Sequence, residues 1–226
     1  MGDINQSYFL EKELPKKIYN NVLDIGSKDY GNTQSFRDLI EYNNYVGIDM
    51  EAGKNVDHVV DLTKTIEPLK ENTYDLIICC SVIEHVEYPW IFADNVSKLS
   101  TKEGLLYIAV PFVWKFHGYP NDYFRYTHNG VKKIFKDYNF KDCYFSTYGA
   151  YNYFKIKNDD SFAKQLSYLS IRLDNKELRF SEKIENNLGL DLAIDKKPQK
   201  VLSYIQILMI GEKNDKLLLC LLWQQI

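Results

Sequence analysis

One short segment, residues 111–127, concentrates side chains that can carry chemistry. Its sequence is Pro-Phe-Val-Trp-Lys-Phe-His-Gly-Tyr-Pro-Asn-Asp-Tyr-Phe-Arg-Tyr-Thr. Because imidazole titrates near neutral pH, His117 is the candidate general base, and the alternative is a loop histidine bonded to the backbone. Arg125 can bind a phosphate or carboxylate through two hydrogen bonds. The competing interpretation, which we favour, is a structural pair between Arg125 and Asp122.

Other side chains around this segment are candidates for lining a binding site. Trp114, Tyr119 and Tyr123 are predicted to contact a bound molecule together with Asp122, and simple packing is the alternative for the aromatic rings. His85 follows an apolar run and is a second catalytic candidate. For His85 we favour a role in shaping the site over a role as base.

The elements that must position these residues alternate along the chain from residue 18 to residue 148. Predicted strands cover 22–25, 45–49, 58–61, 74–80, 105–110 and 141–147. Predicted helices cover 35–42, 88–99 and 127–138, the last with Thr127 as its N-cap. Near-continuous apolar strands separated by helices indicate a mostly parallel sheet with helices on both faces. The C-terminal ends of such strands share one edge, and ligands bind there at the point where strand order reverses.

We therefore predict an α/β fold with a seven-stranded, mostly parallel sheet in a single domain over residues 1–226. Residues 152–200 are rich in Lys, Asn, Asp and Glu, and they predict a helical insertion that acts as a lid. Two apolar runs, 203–210 and 217–223, flank a Glu-Lys-Asn-Asp turn. They predict a C-terminal antiparallel hairpin that closes the sheet.

The loop after the first strand, residues 22–33, lacks the residue on which each common phosphate-binding loop depends. A dinucleotide fingerprint requires glycine where Lys28 stands, and a P-loop requires lysine where Asn32 stands. What remains is Asp49, which ends the next strand 23 residues after Gly26. A carboxylate there can accept from both hydroxyls of a ribose, and Asp24 could accept from an amino group of the same ligand. The alternative is a simple glycine turn with Asp24 as a helix cap.

Four segments, in order, resemble the motifs of class I S-adenosylmethionine-dependent methyltransferases. They are Asp24-Ile-Gly26, Gly47-Ile-Asp49, Asp61-Leu62 and Tyr74-Asp-Leu-Ile-Ile-Cys-Cys-Ser-Val-Ile-Glu-His-Val86. The resemblance covers about residues 20–148 and is most specific in its last segment. It implies a Rossmann-like sheet and an enzyme that uses S-adenosylmethionine.

The residues assigned to this cofactor lie at strand ends: Asp24, Gly26, Ser27, Asp49, Met50, Asp61, Leu62 and Ser81. The resemblance implies that Gly26 approaches the methionine part and that Asp49 holds the ribose. It also places Asp61 and Leu62 beside the adenine. The family often carries a second glycine where Lys28 stands, so Lys28 or its neighbour Tyr30 is expected to hold the methionine carboxylate instead.

The run from His117 to Thr127 resembles a run found in bacterial methyltransferases of polysaccharide and small-molecule pathways. This resemblance implies O-methylation of a sugar or of a phosphoryl-containing metabolite, in surface polysaccharide biosynthesis. N- or C-methylation of another small metabolite and a non-catalytic cofactor-binding module are the alternatives. A nucleotide-dependent oxidoreductase is a third, and Lys28 argues against it.

The composition of the chain restricts the kinds of partner that we expect it to bind. A net charge of −3 and a pI of about 5.9 argue against nucleic acid, because phosphate contacts need a basic surface. The four cysteines show no metal-ligand spacing, so we predict neither a metal site nor a disulfide framework. The N-terminus has no apolar signal core and 217–223 is too short to cross a bilayer. We expect a cytoplasmic protein with a small-molecule acceptor and, as an assembly, a homodimer.

Overall fold

The computed structural model describes residues 2–31, 34–118, 120–147, 150–172, 200–202 and 205–214. The strands are β1 Ile18–Ile25, β2 Glu41–Asp49, β3 His58–Val59, β4 Tyr74–Cys80, β5 Ser100–Val113, β6 Tyr138–Asn139, β7 Cys143–Thr147, β8 Phe154–Lys155, β9 Ser170–Arg172, β10 Lys200–Leu202 and β11 Ile205–Lys213. The helices are α1 Ile4–Glu13, α2 Pro89–Leu99, α3 His128–Ile134 and α4 Asp159–Leu169, with single 3₁₀ turns at Arg37–Leu39 and Ile83–His85.

A nine-stranded, mixed sheet forms the centre of the molecule. Its order is β3-β2-β1-β4-β5-β11-β7-β8, and β6 pairs with β11 beside β7. The five strands from β3 to β5 are parallel, whereas β11 runs antiparallel to β5, β6 and β7. The chain moves outward from β1 to β2 and β3, then returns to β4 on the other side of β1. The order therefore reverses at β1, which creates a crevice at the C-terminal edge of the parallel strands.

Alternation along the strands divides the core between the two faces of the sheet. Leu23 and Cys79 pack on the face covered by α2 and α3, while Val22 and Cys80 pack on the opposite face. The adjacent Cys79 and Cys80 therefore point to opposite faces, as the two-residue period of a strand requires. The opposite face is covered by α1 through its buried Phe9 and neighbouring apolar residues.

The predicted α/β class and mostly parallel Rossmann-like sheet are confirmed, and several element bounds are close. The bounds of β4 match the prediction, and α2 and α3 begin within one residue of it. The Thr127 side chain accepts a hydrogen bond from the N–H of Gly130, so this residue caps α3 as expected. The sheet has nine strands instead of seven, because β8 and the short β6 extend its antiparallel side.

The predicted helix at 35–42 is wrong, and a helix near the N-terminus was missed. Only one 3₁₀ turn forms at Arg37–Leu39, since β2 already begins at Glu41 and pairs with β1 from Ile18 onward. The missed helix, α1, has a capping box in which Asp3 accepts from the N–H of Gln6 while the Gln6 side chain accepts from the N–H of Asp3. Its apolar residues Phe9 and Leu10 pack on one face of the sheet.

The antiparallel C-terminal part differs from the predicted hairpin. The neighbours of β11 are β5 on one side and β6 and β7 on the other, and residues 217–223 lie outside the described residues. Strand β5 continues through Pro111, which pairs with Gln206 next to an irregularity where Phe112 of β5 has no partner in β11; proline occurs in strands mainly at such bulges and at edges. The predicted end of this strand at 110 is therefore wrong.

Residues 152–200 are described only in part, because 173–199 lie outside the described residues. The described portion contains one helix, α4, between the short strands β8 and β9. Phe162 of α4 is buried against Phe112 and Phe145, so the start of this helix packs on the main sheet. The role of 152–200 as a lid stays a prediction. Among the described helices, none combines the length and apolar character that a membrane crossing requires.

Candidate functional site

The loop after β1 turns sharply at Gly26 and packs tightly against its neighbours. Gly26 has a φ of 75°, and its N–H donates to the carbonyl of Ile48 in β2 at 2.9 Å. A Cβ at this position would lie 2.5 Å from Cγ2 of Val82, in the turn after β4. Only glycine meets both constraints without strain, so the loop brings backbone close to the crevice at the ends of β1 and β4.

At the end of β2, the carboxylate of Asp49 is held by two backbone N–H groups. Lys28 donates to one oxygen and Glu51 to the other, both at 3.2 Å. A carboxylate has about four acceptor sites, so further donors can still bind to it. The side chain of Lys28 pairs with Glu51 at 2.6 Å and lies over the ring of Tyr30. The backbone N–H of Lys28 thus orients the Asp49 carboxylate, whereas the side-chain ammonium of Lys28 pairs with Glu51.

Asp24 and Ser27, which were predicted to contact the cofactor, form hydrogen bonds within the protein at this edge of the sheet. The Asp24 side chain is 3% exposed and accepts a hydrogen bond from the hydroxyl of Tyr45 at 2.8 Å. The Ser27 hydroxyl is buried and donates to the carbonyl of Asn55 at 2.9 Å. Their side chains therefore position the β1 and β2 loops, and direct contact of either side chain with a ligand is not supported.

The segment after β3 forms a compact turn around Asp61. One oxygen of Asp61 accepts from the N–H and hydroxyl of Thr63, and the other pairs with Lys64 at 2.8 Å. Burial opposes ionisation of Asp61, but the hydrogen bonds from Lys64 and Thr63 outweigh it and hold the pKa of this carboxyl below its usual value. The Leu62 side chain is buried in the core, whereas Met50, after β2, is exposed at the edge.

Ser81, which follows β4, is hydrogen-bonded to α1 and, through α1, connected to β11. Its backbone has a φ of 54°, and its hydroxyl accepts a hydrogen bond from Gln6 at 2.9 Å. Gln6 also donates to Gln206 at 2.8 Å, and Gln206 donates to Asp3. Sequence reasoning missed these residues, because no local pattern relates a residue in α1 to one two hundred positions later.

Three side chains meet beyond the end of β4 and form what we call the Glu-His-His cluster: Glu84, His85 and His117. An oxygen of Glu84 lies 3.8 Å from Nε2 of His85 and 3.9 Å from Nε2 of His117. The two imidazole rings meet edge to face with centroids 4.8 Å apart. The structure thus brings together both histidines predicted from the sequence, and it adds Glu84, which the sequence analysis did not select.

The cluster forms because the 111–127 segment folds back onto the turn after β4. The carbonyl of Glu84 accepts from the N–H groups of Tyr123 and Phe124, and the hydroxyl of Tyr126 donates to the carbonyl of Ile83. Near the other end of the segment, the N–H of His117 donates to the carboxylate of Asp122 at 2.8 Å. These bonds fix the imidazole of His117 beside Glu84.

The predicted pair between Arg125 and Asp122 is confirmed. Both terminal nitrogens of Arg125 bond to the carboxylate of Asp122, which is almost fully buried. The guanidinium also donates to the carbonyls of Trp114, Lys115 and Phe124. Because these bonds use the donors that an external anion would need, the alternative role as a clamp for a substrate anion is not supported. Arg125 holds the pKa of Asp122 well below its usual value.

The charge state of the cluster is set by burial. Glu84 is 0% exposed, and within the described residues neither of its carboxylate oxygens has a hydrogen-bond partner. Burial raises the pKa of Glu84 to about 8. Burial also lowers the pKa of His85, although its bond to the carbonyl of Asn121 acts in the opposite sense. Near neutral pH the cluster therefore has little negative charge of its own.

Two of the remaining predicted substrate residues, Trp114 and Tyr123, belong to the same 111–127 segment as His117. Trp114 and Tyr123 are each 42% exposed, as expected for walls that contact solvent or a ligand. Tyr119 lies outside the described residues. The cofactor candidates after β1, β2 and β4 and the Glu-His-His cluster thus share one edge of the sheet.

A family model for the methyltransferase domain matches residues 6–143, which is more than half of the chain. This match extends from α1 to the start of β7 and includes every strand-end motif and the whole Glu-His-His cluster. No curated protein matches the chain at a significant level.

Solved structures of methyltransferases have the same fold. A proposed methyltransferase from Bacillus halodurans aligns with a TM-score of 0.57 at 10% identity, covering 93% of this chain and 99% of that one. The 1,6-didemethyltoxoflavin-N1-methyltransferase of Burkholderia thailandensis, with S-adenosylhomocysteine bound, aligns with a TM-score of 0.54 at 12% identity, over 93% and 77%. Phosphoethanolamine N-methyltransferase 2 of Haemonchus contortus, with S-adenosylmethionine, gives 0.51 at 13% identity, over 93% and 52%. At these identities the likeness concerns the fold alone.

Proposed function

This chain belongs to the methyltransferase-domain family, and from that premise we propose that it transfers the methyl group of S-adenosylmethionine to a hydroxyl of a polar small molecule. The observation that carries the hydroxyl acceptor is the Glu-His-His cluster, whose first member, Glu84, follows Ser81 by only three residues at the end of β4. A hydroxyl must lose its proton to become a good nucleophile, and this cluster holds groups that can assist that loss.

The residues at the edge fit the cofactor. Asp49 would accept from the ribose hydroxyls, because its carboxylate is already oriented by two N–H groups and lies at the open end of β2. The backbone at Gly26 would lie beside the methionine part, and Leu62 beside the adenine. When bound, S-adenosylmethionine supplies an electrophilic methyl group on a sulfonium. Two structural neighbours were solved with S-adenosylmethionine or its demethylated product, which supports this assignment.

At the acceptor end, His117 is our candidate for assisting loss of the hydroxyl proton. Its ring is 20% exposed, so an acceptor can reach it, and Asp122 lies 3.2 Å from Nδ1 on the far side of the ring. A carboxylate in that place orients an imidazole and stabilises its charged form. Orientation of the hydroxyl against the methyl group would supply much of the remaining acceleration.

Among polar acceptors we propose a sugar. The support is the resemblance of the 117–127 run to bacterial methyltransferases of polysaccharide pathways, together with Arg125, whose donors are already bonded within the segment. A phosphorylated acceptor would need another cationic partner. Cytoplasmic residence is part of the proposal and is supported by Cys79, Cys80 and Cys143, which are buried free thiols. The homodimer stays a prediction.

Calorimetric titration tests the cofactor assignment. We expect binding of S-adenosylmethionine and no binding of NAD. Asp49→Ala should weaken the affinity for S-adenosylmethionine by about 100-fold, since it removes two charge-assisted hydrogen bonds. Glu41→Ala, on the exposed start of the same strand, is the matched control and should bind normally. Binding of NAD in place of S-adenosylmethionine would overturn the assignment.

The acceptor is found by incubating the protein and S-adenosylmethionine with a panel of sugars, nucleotide sugars and amines, followed by mass spectrometry. We expect a gain of one CH₂ unit on a sugar, with the new methyl group on oxygen. Methylation confined to amines would reject the hydroxyl proposal while leaving the methyltransferase assignment intact.

A further inference from the structure

We propose that the Glu-His-His cluster binds a divalent transition-metal ion. One potential ligand atom from each of its three residues, a carboxylate oxygen and two imidazole nitrogens, lies within 4.8 Å of the other two. The spacing of the cysteines alone predicts no metal site. Here the third ligand, His117, comes from a different loop, 32 positions after His85.

The state of the Glu84 carboxyl group points to a missing cation. Its side chain is fully buried, and both carboxylate oxygens lack a hydrogen-bond partner within the described part of the chain. Burying a carboxyl group without any partner costs several kcal/mol, so such a group needs a cause. A cation between Glu84 and the two imidazoles would satisfy it, and no described Lys or Arg side chain forms an ion pair with it.

Both imidazoles of the cluster are oriented as metal-binding histidines are. Nδ1 of His85 lies 2.6 Å from the carbonyl of Asn121, and Nδ1 of His117 lies 3.1 Å from the carbonyl of Lys115. A carbonyl only accepts, so each Nδ1 carries the hydrogen and each Nε2 presents its lone pair toward Glu84. Metal-binding histidines are typically oriented in this way, through a carbonyl or carboxylate on the other ring nitrogen. Asp122 adds the carboxylate partner on His117.

The distances allow a cation after a small adjustment. Ligands at about 2.1 Å from a tetrahedral ion lie about 3.4 Å from one another. The observed separations of 3.8 and 3.9 Å, with none above 4.8 Å, therefore need to close by about 0.5–1.5 Å, which side-chain rotation provides. The histidine side of the cluster is partly exposed, which leaves coordination positions for water and for an acceptor hydroxyl.

The types of ligand atom in the cluster determine which class of metal ion it would bind. Two imidazole nitrogens and one carboxylate suit first-row ions from Mn²⁺ to Zn²⁺, whereas Mg²⁺ and Ca²⁺ prefer oxygen donors. The binding itself does not depend on the proposed function, but its chemical consequence does. An ion at this place would polarise a hydroxyl that reaches it, so that the proton leaves for solvent at lower pH. His117 would then act as a ligand and not as the base.

The test uses the full chain after dialysis against a chelator. We expect one Zn²⁺ or Co²⁺ to bind per chain by calorimetry, with the visible absorption of Co²⁺ in a nitrogen- and oxygen-bound site, and Mg²⁺ to bind much more weakly. Glu84→Gln and His117→Ala should each weaken Co²⁺ binding by about 100-fold. His58→Ala, at an exposed histidine outside the cluster, is the matched control and should leave the affinity unchanged.

Because Glu84 is fully buried, each variant is first checked for folding by thermal melting, and the partly exposed His117 carries the same test should Glu84→Gln fail to fold. Absence of stoichiometric binding to the native chain, or equal binding by folded cluster variants, would overturn the inference. Calorimetry with S-adenosylmethionine is run in parallel, so that failure of the cofactor assignment is recognised separately. Turnover that resists the chelator would reject the catalytic consequence and return His117 to the role of base.

Discussion

Two regions at the same sheet edge, the strand-end loops around Asp49 and the Glu-His-His cluster, are built in opposite ways. In the first region, backbone N–H groups satisfy a partly exposed carboxylate. In the second, a fully buried carboxylate has two imidazoles near it and no hydrogen bond within the described residues. The carboxylate of the first arrangement is suited to accept hydrogen bonds from the hydroxyl groups of a ligand. In the second, the buried carboxylate needs a proton or a cation to neutralise it, and such groups are typical of a reaction centre.

The two regions also differ in what holds them in place. The strand-end loops are positioned by parallel pairing, as in the bonds from Gly26 and Ser27 to Ile48. The cluster depends on a loop that folds back, and that loop is fixed by the buried pair of Asp122 and Arg125. Substitutions in the first region should therefore act on cofactor affinity and stability, and those in the second on turnover.

The largest expected effect is that of His117→Ala on turnover. Loss of a side chain that assists proton removal, directly or through an ion, lowers kcat by about 10²–10⁴-fold. The affinity for S-adenosylmethionine should not change, because the strand-end loops are untouched. Steady-state kinetics and calorimetry measure the two quantities, with His58→Ala as control. An unchanged kcat would show that the acceptor needs no help in losing a proton.

Arg125→Gln tests whether the loop depends on its ion pair. It leaves the buried carboxylate of Asp122 without its cation, which should lower the free energy of unfolding by about 3–5 kcal/mol. The double variant Asp122→Asn/Arg125→Gln removes both charges and should recover part of this loss. Chemical denaturation measures both values. If the single and double variants were equally stable, the pair would not be what fixes the loop.

A pair of glycine variants separates crowding from backbone strain in the first region. Gly26→Ala should destabilise the protein by about 2–4 kcal/mol, because it combines a positive φ with a contact of 2.5 Å to Val82. Gly31→Ala has a similar φ and no atom within 4 Å of the new Cβ, so about 1 kcal/mol is expected. Equal losses in urea denaturation would mean that Val82 moves away without cost.

The smallest effect is expected for Lys64→Ala, which removes the exposed partner of Asp61. Affinity for S-adenosylmethionine should stay within about a factor of two, as is usual for exposed ion pairs. The pKa of Asp61 is lowered in the folded protein, so its favourable bonds contribute at pH values above the pKa of an unfolded carboxyl. That contribution is lost as the pH falls through the folded pKa. Stability of the native chain and Lys64→Ala should therefore converge in acid, which melting curves across pH would show.

Sequence patterns predicted those parts of the fold that depend on near neighbours. The apolar run of β4 and the cap at Thr127 are specified within one element, and both were predicted correctly. The prediction was wrong at 35–42, because pairing of β2 with β1 overrides the helical pattern there. The helix α1 was missed, because its sequence is mostly polar and its apolar residue Phe9 is buried only through contact with the sheet. Pro111 did not end β5, because the strand continues to pair with β11 through an irregularity at Phe112, beside the proline.

The sequence by itself determined the run of parallel strands from β1 to β5, the helices α2 and α3, and the carboxylates that follow or end β2 and β3, because period, capping and turn residues act over a few positions. Only the tertiary structure decided that Glu84, His85 and His117 meet, that Arg125 is bonded within its own segment, and that Gln6 reaches Ser81 and Gln206. The physical reason is that these contacts join distant parts of the chain. They exist only once the sheet has aligned its strand ends and the 111–127 segment has folded back against them.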